Sequence, residues 1–404
     1  MKLLIVHERL GAFGGAETNL HLAARELKNR GHHLALLHGP LPGQGETDWR
    51  EIFDPCMAVL PMDPAAIVRK ALGKFCPDVV YVHKMADLEV LETLVASRFP
   101  LVRMVHDHDL YCMRSYKYHV RSRAICTRAA SPYCVFPCGA SVVRNRGAGF
   151  PLGWVSYPAK RKEIQLNQQF QRMIVGSQYM KQELLQNGFL EEKIRIHPPV
   201  PEDLSNHARP EFQAAQGEGN RVIYVGQIIR GKGVDVLLES LAQVKCPFEC
   251  LIVGEGSHRS YCEKLSRRLG LENRVHFLGF VPRENLHNYF TQSNVAVVSS
   301  VWPEPFGAVG LEGMRFGLPV VGFDAGAIRE WLINGYNGFL VPWMDRVQFA
   351  ARVQELLSNK TLARQLGEGG ARLVAERFCF ADYITALEKT LSDVRFEAQL
   401  EVHA

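Results

Sequence analysis

Two carboxylates separated by seven residues, Glu304 and Glu312, are well suited to chemistry on a polar ligand. An apolar run at 295–298 predicts a buried strand, and the stretch 308–316 predicts a helix after a loop broken by proline and glycine. Glu304 then lies in the loop and Glu312 on the helix. In one continuous helix, eight positions would separate the carboxylates by about 12 Å of rise. A loop that folds back over the helix start can instead bring both around one ligand.

Backbone amides at the start of this predicted helix add donors to the two acceptors. The amides of Phe306, Gly307 and Ala308 lack partners within the helix and attract anionic groups. Carboxylates accept hydrogen bonds from hydroxyls, so the combination predicts a site for a polyhydroxylated, negatively charged molecule. Two solvated glutamates around a turn are the plainer alternative. A glycosidase acid/base pair is another, although nothing in the spacing indicates a gap for water between them.

The residues around the two glutamates resemble a known family. Between residues 297 and 342 the chain contains EPFG, then the second glutamate, then GLPVV and GYNGFLV. This pattern is similar to that of the retaining nucleotide-sugar glycosyltransferases of family 4, which have the GT-B fold. The resemblance implies an α/β chain with two Rossmann-like, doubly wound parallel-sheet domains facing a cleft. It also implies that Glu304 holds hydroxyls of the donor sugar, that Glu312 holds the nucleotide ribose, and that catalysis needs no cofactor.

A cationic loop favours the binding of a diphosphate. Arg230 and Lys232 follow the apolar run 221–225 and directly precede an amphipathic pattern that begins at Val234. Two cations at a helix N-terminus suit a diphosphate. The stretch resembles the family's GRxxxxKG motif, whose arginine and lysine neutralise the leaving nucleoside diphosphate. Lys232 matches the lysine, Gln227 stands in the arginine position, and we expect Arg230 to replace the missing cation.

The N-terminus predicts a strand, a glycine-containing loop and a helix that ends near Gly31. The loop lacks the G-x-G-x-x-G order of a dinucleotide site. It resembles the family's acceptor-domain loop, which implies that Gly14 and Gly15 approach the donor diphosphate. A plain tight turn is the alternative.

Histidines follow two further predicted strands, 79–82 and 101–105. Ligands of doubly wound sheets bind beyond the carboxyl ends of strands, where His83 and His106 fall. The sequence VHDHDLYC resembles the family's H-D segment, which implies that His106 lies beside the donor sugar and the acceptor and contributes to transfer. A strand-end histidine bonded to backbone is the alternative. The same stretch spells D-x-D, a metal–diphosphate motif of another glycosyltransferase fold, to which we give little weight.

The segment 110–172 carries eleven basic residues and one acid, Glu163, whereas the rest of the chain is net negative. Aromatic residues, among them Phe136, Phe150 and Trp154, are mixed with these bases. Such a mixture suits an anionic membrane surface, a diphosphate-linked acceptor or a solvated loop. Nucleic acid is not expected, because no nucleic-acid-binding motif accompanies the charge.

Four of the ten cysteines fall within this basic segment, spaced C-x13-C-x7-C-x3-C: Cys112, Cys126, Cys134 and Cys138. Four thiolates can hold a structural zinc, and an iron–sulfur cluster is a second option. The spacing is not that of a standard zinc finger, so free thiols are an equal alternative.

A length of 404 residues predicts two domains. We expect an acceptor-binding domain at 1–199 with the insert 110–172, a nucleotide-sugar-binding domain at 200–378, and a final helix at 379–404 that returns to the first domain. A stretch rich in proline, glutamine and glycine, 198–219, predicts the linker. With 47% apolar residues and no apolar run of 18, the composition predicts a soluble cytoplasmic protein, with peripheral membrane attachment as an option.

Taken with the family resemblance, these patterns imply retaining transfer of a sugar from a nucleotide diphosphate sugar to a glycan or lipid-linked acceptor, in the synthesis of cell-surface polysaccharide or glycolipid. The predicted catalytic residues are His106, Lys232 and Glu304. A non-catalytic nucleotide-sugar-binding protein, or a phosphorylase or epimerase of the same fold, is the alternative.

Overall fold

The computed structural model describes residues 1–11, 14–41, 43–60, 62–144, 152–200 and 219–403. Most of the predicted linker, together with Arg146 and Phe150 of the basic segment, lies outside these residues. The chain divides into two compact units. The first comprises Met1–Lys117, Cys126–Pro199 and Ala381–Ala404, and the second comprises Tyr118–Ile125 and Val200–Phe380.

The first unit is built on a seven-stranded sheet in which every neighbouring pair is parallel. The strands along this part of the chain are β1 Lys2–Arg9, β2 His33–Leu41, β3 Cys56–Ala58, β4 Val79–Val82, β5 Leu101–Val105, β6 Val142–Arg144, β7 Leu152–Trp154, β8 Arg172–Val175 and β9 Ile194–Ile196. The sheet order is β3-β2-β1-β4-β5-β8-β9, and β6 and β7 form a separate antiparallel hairpin. All residues of β4 and β5 are buried, as expected for central strands with both faces covered.

Helices join the strands of the first unit: α1 Gly15–Asn29, α2 Glu46–Ile52, α3 Pro64–Phe75, α4 Leu88–Val95, α5 Tyr157–Gln168 and α6 Gln178–Gln186. Several begin where a short polar side chain accepts a hydrogen bond from a backbone amide in the first turn, which satisfies a donor that the helix itself cannot pair. These residues are Asp63, Asp87, Ser156 and Ser177.

The second unit is built on a six-stranded parallel sheet with the order β12-β11-β10-β13-β14-β15. Its strands are β10 Arg221–Val225, β11 Glu249–Val253, β12 Val275–Gly279, β13 Val295–Val298, β14 Val320–Phe323 and β15 Gly338–Val341. Its helices are α7 Val234–Leu241, α8 Arg259–Arg268, α9 Leu286–Thr291, α10 Val309–Arg315, α11 Arg346–Ser358 and α12 Lys360–Arg377. The predicted fold class, two α/β domains with parallel sheets, is confirmed.

The last helix, α13 Phe380–His403, packs within the first unit although it ends the chain. Ile384, Leu387, Leu391 and Val394 are fully buried. Their spacing of three to four residues is that of one helix face. Across the parts of the chain that the structure describes, we find no helix with the length and apolarity needed to cross a bilayer.

Candidate active site

Glu304 lies in the loop between β13 and α10, and its side chain is buried. Three donors converge on the same carboxylate oxygen, Oε1: Lys232 Nζ at 2.7 Å, Trp302 Nε1 at 2.8 Å and the Ser300 hydroxyl. Burial by itself would raise the pKa of Glu304, but Lys232, Ser300 and Trp302 together lower it below the ordinary value. The carboxylate is therefore ionised, and Oε2 is the oxygen that can accept from a ligand hydroxyl.

The backbone of Glu304 is also held by hydrogen bonds, on both its amide and its carbonyl. The Glu304 amide donates to the Ala325 carbonyl at 3.2 Å, and the Ala327 amide donates to the Glu304 carbonyl at 2.9 Å. Gly326 lies between these partners with a φ of +68°, and a Cβ there would lie 2.4 Å from the Glu304 carbonyl oxygen. Only glycine permits this approach, so β14 and the turn after it fix where Glu304 points.

The predicted amide donors lie at the start of α10, as the sequence indicated. The Phe306 carbonyl accepts from Trp331 Nε1 at 2.7 Å, and the Phe306 ring packs against Phe378. Gly307 has a φ of +83°, and Ala308 caps the helix. This arrangement orders the backbone at the helix start, while binding of a ligand by these amides stays a prediction.

Glu312 differs from Glu304 in its electrostatics. It lies in the first turn of α10, and its Oε1 is 3.4 Å from Arg283 Nη2. Burial raises the pKa of Glu312, and Arg283 and Arg315 only partly oppose that shift. The two carboxylates of the motif therefore have opposite pKa shifts, which suits two different tasks.

Lys232 reaches Glu304 because the turn Arg230–Lys232, between β10 and α7, is bonded to the loop after β13. The Gly231 carbonyl in this turn accepts from the amides of Val301 and Trp302. Gly233, which ends the turn, has a φ of +67°, and a Cβ there would lie 2.0 Å from the Ser299 carbonyl oxygen. The Lys232 ammonium also lies 5.1 Å from the centre of the Trp302 ring. Gln227 is exposed, and Arg230 Nη1 donates to the Val120 carbonyl at 2.5 Å.

A second cluster lies within the first unit, at the ends of its central strands. His83 follows β4 and His106 follows β5, and these strands are neighbours, so His83 Nδ1 lies 2.8 Å from His106 Nε2. Burial and the nearby Lys84 and Arg103 lower the pKa of His106 to about 3. His106 is therefore a neutral imidazole with Nε2 engaged by His83, and its Nδ1 can hydrogen-bond a ligand hydroxyl.

Lys84 forms ion pairs with both acids of the D-x-D sequence, beside these histidines. Its ammonium lies 2.8 Å from Asp107 Oδ2 and 3.0 Å from Asp109 Oδ2. Together with His83, His106 and Glu163, among others, these residues line a cavity of about 30 Å³, which has room for one or two waters. Within the described residues, three buried polar atoms of the lining lack a hydrogen-bond partner: His83 Nε2, Arg103 Nε and Glu163 Oε1. Such atoms suit a water or a ligand hydroxyl.

Gly14 and Gly15 lie at the N-terminus of α1, as the sequence indicated. The Gly14 amide, however, donates to Glu17 Oε2 at 2.8 Å, and this carboxylate is buried. Glu17 thus already places a negative charge where the prediction places a diphosphate. Around Gly15, no described atom lies within 4 Å of the position that a Cβ would take. A role in donor binding stays a prediction for both glycines.

The four cysteines of the basic segment are all unpaired and half-buried: Cys112, Cys126, Cys134 and Cys138. Burial raises the pKa of Cys134, and the other three thiols add to the rise. Among the described residues, no group of three or more histidine, cysteine or acidic side chains has the placement of a metal site. The geometry therefore gives the metal prediction no support.

The structure adds functional candidates that sequence reasoning missed. Ser300 and Trp302 donate to Glu304 and precede it by four and two residues. Two polar side chains so close to the glutamate in sequence could have indicated these contacts. Lys84 follows His83 directly, but nothing in the sequence indicates that it pairs with the D-x-D acids. Arg123 bonds to Asp235 within the second unit, and nothing in the residues around Arg123 predicts that contact.

Two family models match this chain, one for each half. A model described as "Glycosyltransferase Family 4" matches residues 13–200, and one described as "Glycosyl transferases group 1" matches residues 205–373. Among curated relatives, alpha-D-kanosaminyltransferase of Streptomyces kanamyceticus is 30% identical over 177 residues, which cover 42% of this chain and 45% of that protein. An uncharacterized glycosyltransferase of Methanocaldococcus jannaschii is 25% identical over 223 residues, which cover 55% and 60%. The chain thus spans about half the length of the curated relatives it matches.

Solved structures resemble the whole chain. HepE of Anabaena, solved in complex with UDP-glucose, superposes with a TM-score of 0.73 at 22% identity over 97% of this chain and 100% of that one. Sucrose-phosphate synthase of Thermosynechococcus elongatus superposes with a TM-score of 0.71 at 18% identity over 100% of both chains. At these identities the likeness establishes the fold. The two family models, which between them match residues 13–200 and 205–373, support a glycosyltransferase of the family-4 type, and the solved structures show the GT-B fold.

Proposed function

We propose that this protein is a retaining glycosyltransferase that moves a hexosyl group from a nucleotide diphosphate sugar to a glycan or lipid-linked acceptor. The main support for this proposal is the ion pair of Lys232 and Glu304, in which Nζ lies 2.7 Å from Oε1. The residues around this pair match the family-4 motif. The carboxylate orients sugar hydroxyls, and the ammonium stabilises charge on the departing diphosphate. Phe306, Gly307, Ala308 and Glu312 complete the donor site in this proposal.

Retention is proposed from the resemblance to the family, and the contacts of Glu304 bear on how it takes place. Three donors hold the carboxylate through Oε1 and share its charge, so in this proposal Glu304 orients the sugar rather than attacking it. The acceptor oxygen then bonds to the anomeric carbon on the face from which the diphosphate leaves. The bond from that carbon to the diphosphate oxygen breaks, and a phosphate oxygen takes the acceptor's proton. His106, neutral and held by His83, hydrogen-bonds hydroxyls during transfer.

The donor class is supported by the neighbours as well as by the residues. HepE is solved in complex with UDP and with UDP-glucose, and the site here pairs the Glu304 carboxylate with the Lys232 ammonium. Relatives include a lipopolysaccharide core biosynthesis glycosyltransferase of Rhizobium meliloti, 29% identical over 157 residues. We accordingly propose a role in cell-surface polysaccharide or glycolipid synthesis.

The test is a donor screen followed by a transfer assay. Nucleotide sugars are screened by thermal shift, because a ligand that binds only the folded state raises the melting temperature. The stabilising donor is then incubated with glycan and lipid-linked acceptors, and the anomeric configuration of the product is read by proton NMR. Transfer with retention is expected, and Glu304→Gln should abolish most of it. Inversion would contradict the retaining mechanism, and donor binding without turnover would favour a non-catalytic sugar-nucleotide-binding protein.

Attachment to the cytoplasmic face of a membrane is a separate proposal. Phe136 is 83% exposed and Trp154 is 73% exposed, and the exposed Arg161 belongs to the same basic segment. Aromatic and basic side chains together suit an anionic surface. Flotation with anionic vesicles should recover the protein, whereas neutral vesicles should not. Equal flotation of a Phe136→Ala/Trp154→Ala variant would contradict a role for these two residues.

A structural metal at the four cysteines also stays a proposal. The chemistry of four thiols supports zinc or an iron–sulfur cluster, whereas their placement in this structure does not. Metal analysis of the purified chain separates the options. A stoichiometric metal would establish the site, and four titratable thiols without metal would end the idea.

A further inference from the structure

A short hairpin from the basic segment belongs to the second unit. Residues Tyr118–Ile125, named here the insert hairpin, cluster with Val200–Phe380 and not with the residues on either side of them. Tyr118 and Ile125 form an antiparallel bridge. Between them, the His119 amide donates to Ala124, and the Arg123 amide donates to His119. The segment is therefore a locally closed turn with its own backbone bonds.

Arg123 anchors the insert hairpin to α7. Its guanidinium contacts both carboxylate oxygens of Asp235, with Nη1 3.2 Å from Oδ1 and Nη2 bonded to Oδ2. Arg123 is 9% exposed and Asp235 is 7% exposed, so the pair is buried. A two-point bond between a guanidinium and a carboxylate fixes direction as well as distance. Asp235 lies in the first turn of α7, three residues after Lys232.

Two further contacts join the insert hairpin to the turn that carries Lys232. The Val120 carbonyl accepts from Arg230 Nη1 at 2.5 Å. Gly231 lies close to two aromatic side chains, since a Cβ there would be 3.3 Å from Tyr118 Cε1 and 3.3 Å from Trp302 Cγ. The Gly231 carbonyl also accepts from the amides of Val301 and Trp302. The insert hairpin thus contacts the turn at Arg230 and at Gly231, and contacts the helix after it at Asp235.

We propose that the insert hairpin holds the Arg230–Gly233 turn ready for a nucleoside diphosphate, with Arg123 as the positioning residue. The turn contains two glycines, so ordering it costs more conformational entropy than ordering most loops. Contacts that order it before the ligand arrives remove that cost from binding. This inference rests on the proposed function, because it assumes that Lys232 meets the diphosphate of the donor.

The anchor also explains part of the charge of the basic segment. The Arg123 guanidinium is paired with Asp235 within the second unit, so it adds no unpaired positive charge to the surface of the basic segment. Arg121, two residues earlier in the same hairpin, is exposed. The chain thereby supplies a matched pair of arginines, one buried in an ion pair and one solvated.

The test compares Arg123→Met with Arg121→Met in the full chain. Both remove one positive charge from the insert hairpin. Binding of UDP, GDP, ADP and dTDP is measured by calorimetry, and the nucleotide that the unchanged chain binds best is used throughout. We expect Arg123→Met to weaken binding about tenfold and to raise the donor KM with the acceptor KM unchanged. Arg121→Met should remain within twofold of the unchanged chain.

Arg123→Lys guards against misfolding, since it keeps the charge and loses only the two-point geometry. It should bind about threefold more weakly than the unchanged chain, with an unchanged melting temperature. If Arg123→Met and Arg121→Met bind the nucleotide with equal affinity, the inference is wrong. The proposed function would not be affected by that result. If the unchanged chain binds none of the four nucleotides, the proposed function fails and this inference fails with it.

Discussion

At the scale of single residues, the chemistry of the second unit centres on one oxygen atom. Glu304 Oε1 accepts from an ammonium, an indole and a hydroxyl, and these donors hold the carboxylate ionised despite its burial. Without them, a buried carboxyl group would take up a proton and become a weaker acceptor for a ligand hydroxyl. The state of this one residue therefore depends on three others.

Trp302→Phe should lower kcat/KM for the donor by roughly ten- to a hundredfold. The ring remains beside Gly231, but the hydrogen bond to a charged acceptor is lost, which is worth about 1.5–3 kcal/mol. Trp343→Phe is the matched control, because its indole donates to the neutral Val301 carbonyl. Steady-state kinetics of both variants check the prediction. Equal losses would show that ring packing, not the indole N–H, is what matters.

Lys232→Met should move the acidic limb of the kcat/KM profile to higher pH. In the native protein Lys232 lowers the pKa of Glu304, so the carboxylate stays ionised at pH values at which an ordinary glutamate would be protonated. Removing the ammonium leaves burial to raise that pKa, so protonation sets in at higher pH as the solution is acidified. Profiles between pH 4 and 8 check this, with the exposed Lys264→Met as control. An unmoved limb would contradict the coupling.

At the scale of elements, glycines decide how closely the turns of the second unit approach its strands. Gly233 starts α7 with a left-handed backbone and leaves no space for a side chain against Ser299. Gly326 does the same beside Glu304. The close approaches at Gly233 and Gly326 allow Lys232 to reach Glu304, so the ion pair requires that neither position carries a side chain.

Gly233→Ala should abolish donor binding and destabilise the second unit. Gly270→Ala is a matched control, since Gly270 has a φ of +68° against +67° at Gly233, but no described atom lies within 4 Å of its Cβ position. The control should lose only about 1 kcal/mol, the cost of a left-handed backbone. Chemical denaturation and calorimetry with the best-bound nucleotide check both. Similar behaviour of the two variants would mean that backbone strain, not the clash, matters.

At the scale of the whole molecule, the order of the chain and the order of the units differ. Residues Ala381–Ala404 belong to the first unit, although the second unit precedes them in the chain. Tyr383 donates to Asn19, Glu388 accepts from His32, and His197 bonds Thr390. Folding of the first unit is therefore complete only when the last helix is present.

Deleting residues 381–404 should destabilise the first unit and spare the second. The deletion exposes the surface that covers the apolar face of α13, and each buried aliphatic side chain contributes about 1.5–3 kcal/mol. Hydrogen exchange should lose protection in β1 and α1 while β10 and β13 stay protected. An Arg364→Ala variant, which alters an exposed ion pair on α12, is the control. Undiminished protection of β1 would contradict the assignment of α13 to the first unit.

Local patterns in the sequence are enough to predict the central strands and the loop that carries Glu304. Apolar runs of four or five residues predict the central strands, and the structure places β4, β5, β10 and β13 where those runs lie. Proline and glycine around Glu304 predict a loop before α10, which the structure also has. The residues that flank the two glutamates also carry the family resemblance. All of these patterns can be read from the sequence because each lies within a short stretch of residues.

Contacts between residues far apart in the chain arise from the fold, and local patterns do not predict them. Lys232 and Glu304 are 72 positions apart, and His83 and His106 are 23 apart, and each pair meets because strands adjacent in a sheet end side by side. The insert hairpin is the extreme case, since Arg123 meets Asp235 across 112 positions. A hydrophobic pattern fixes the period and burial of an element, but it does not contain the order of strands in a sheet. That order sets which charges are neighbours, and so it sets the ionisation of the site.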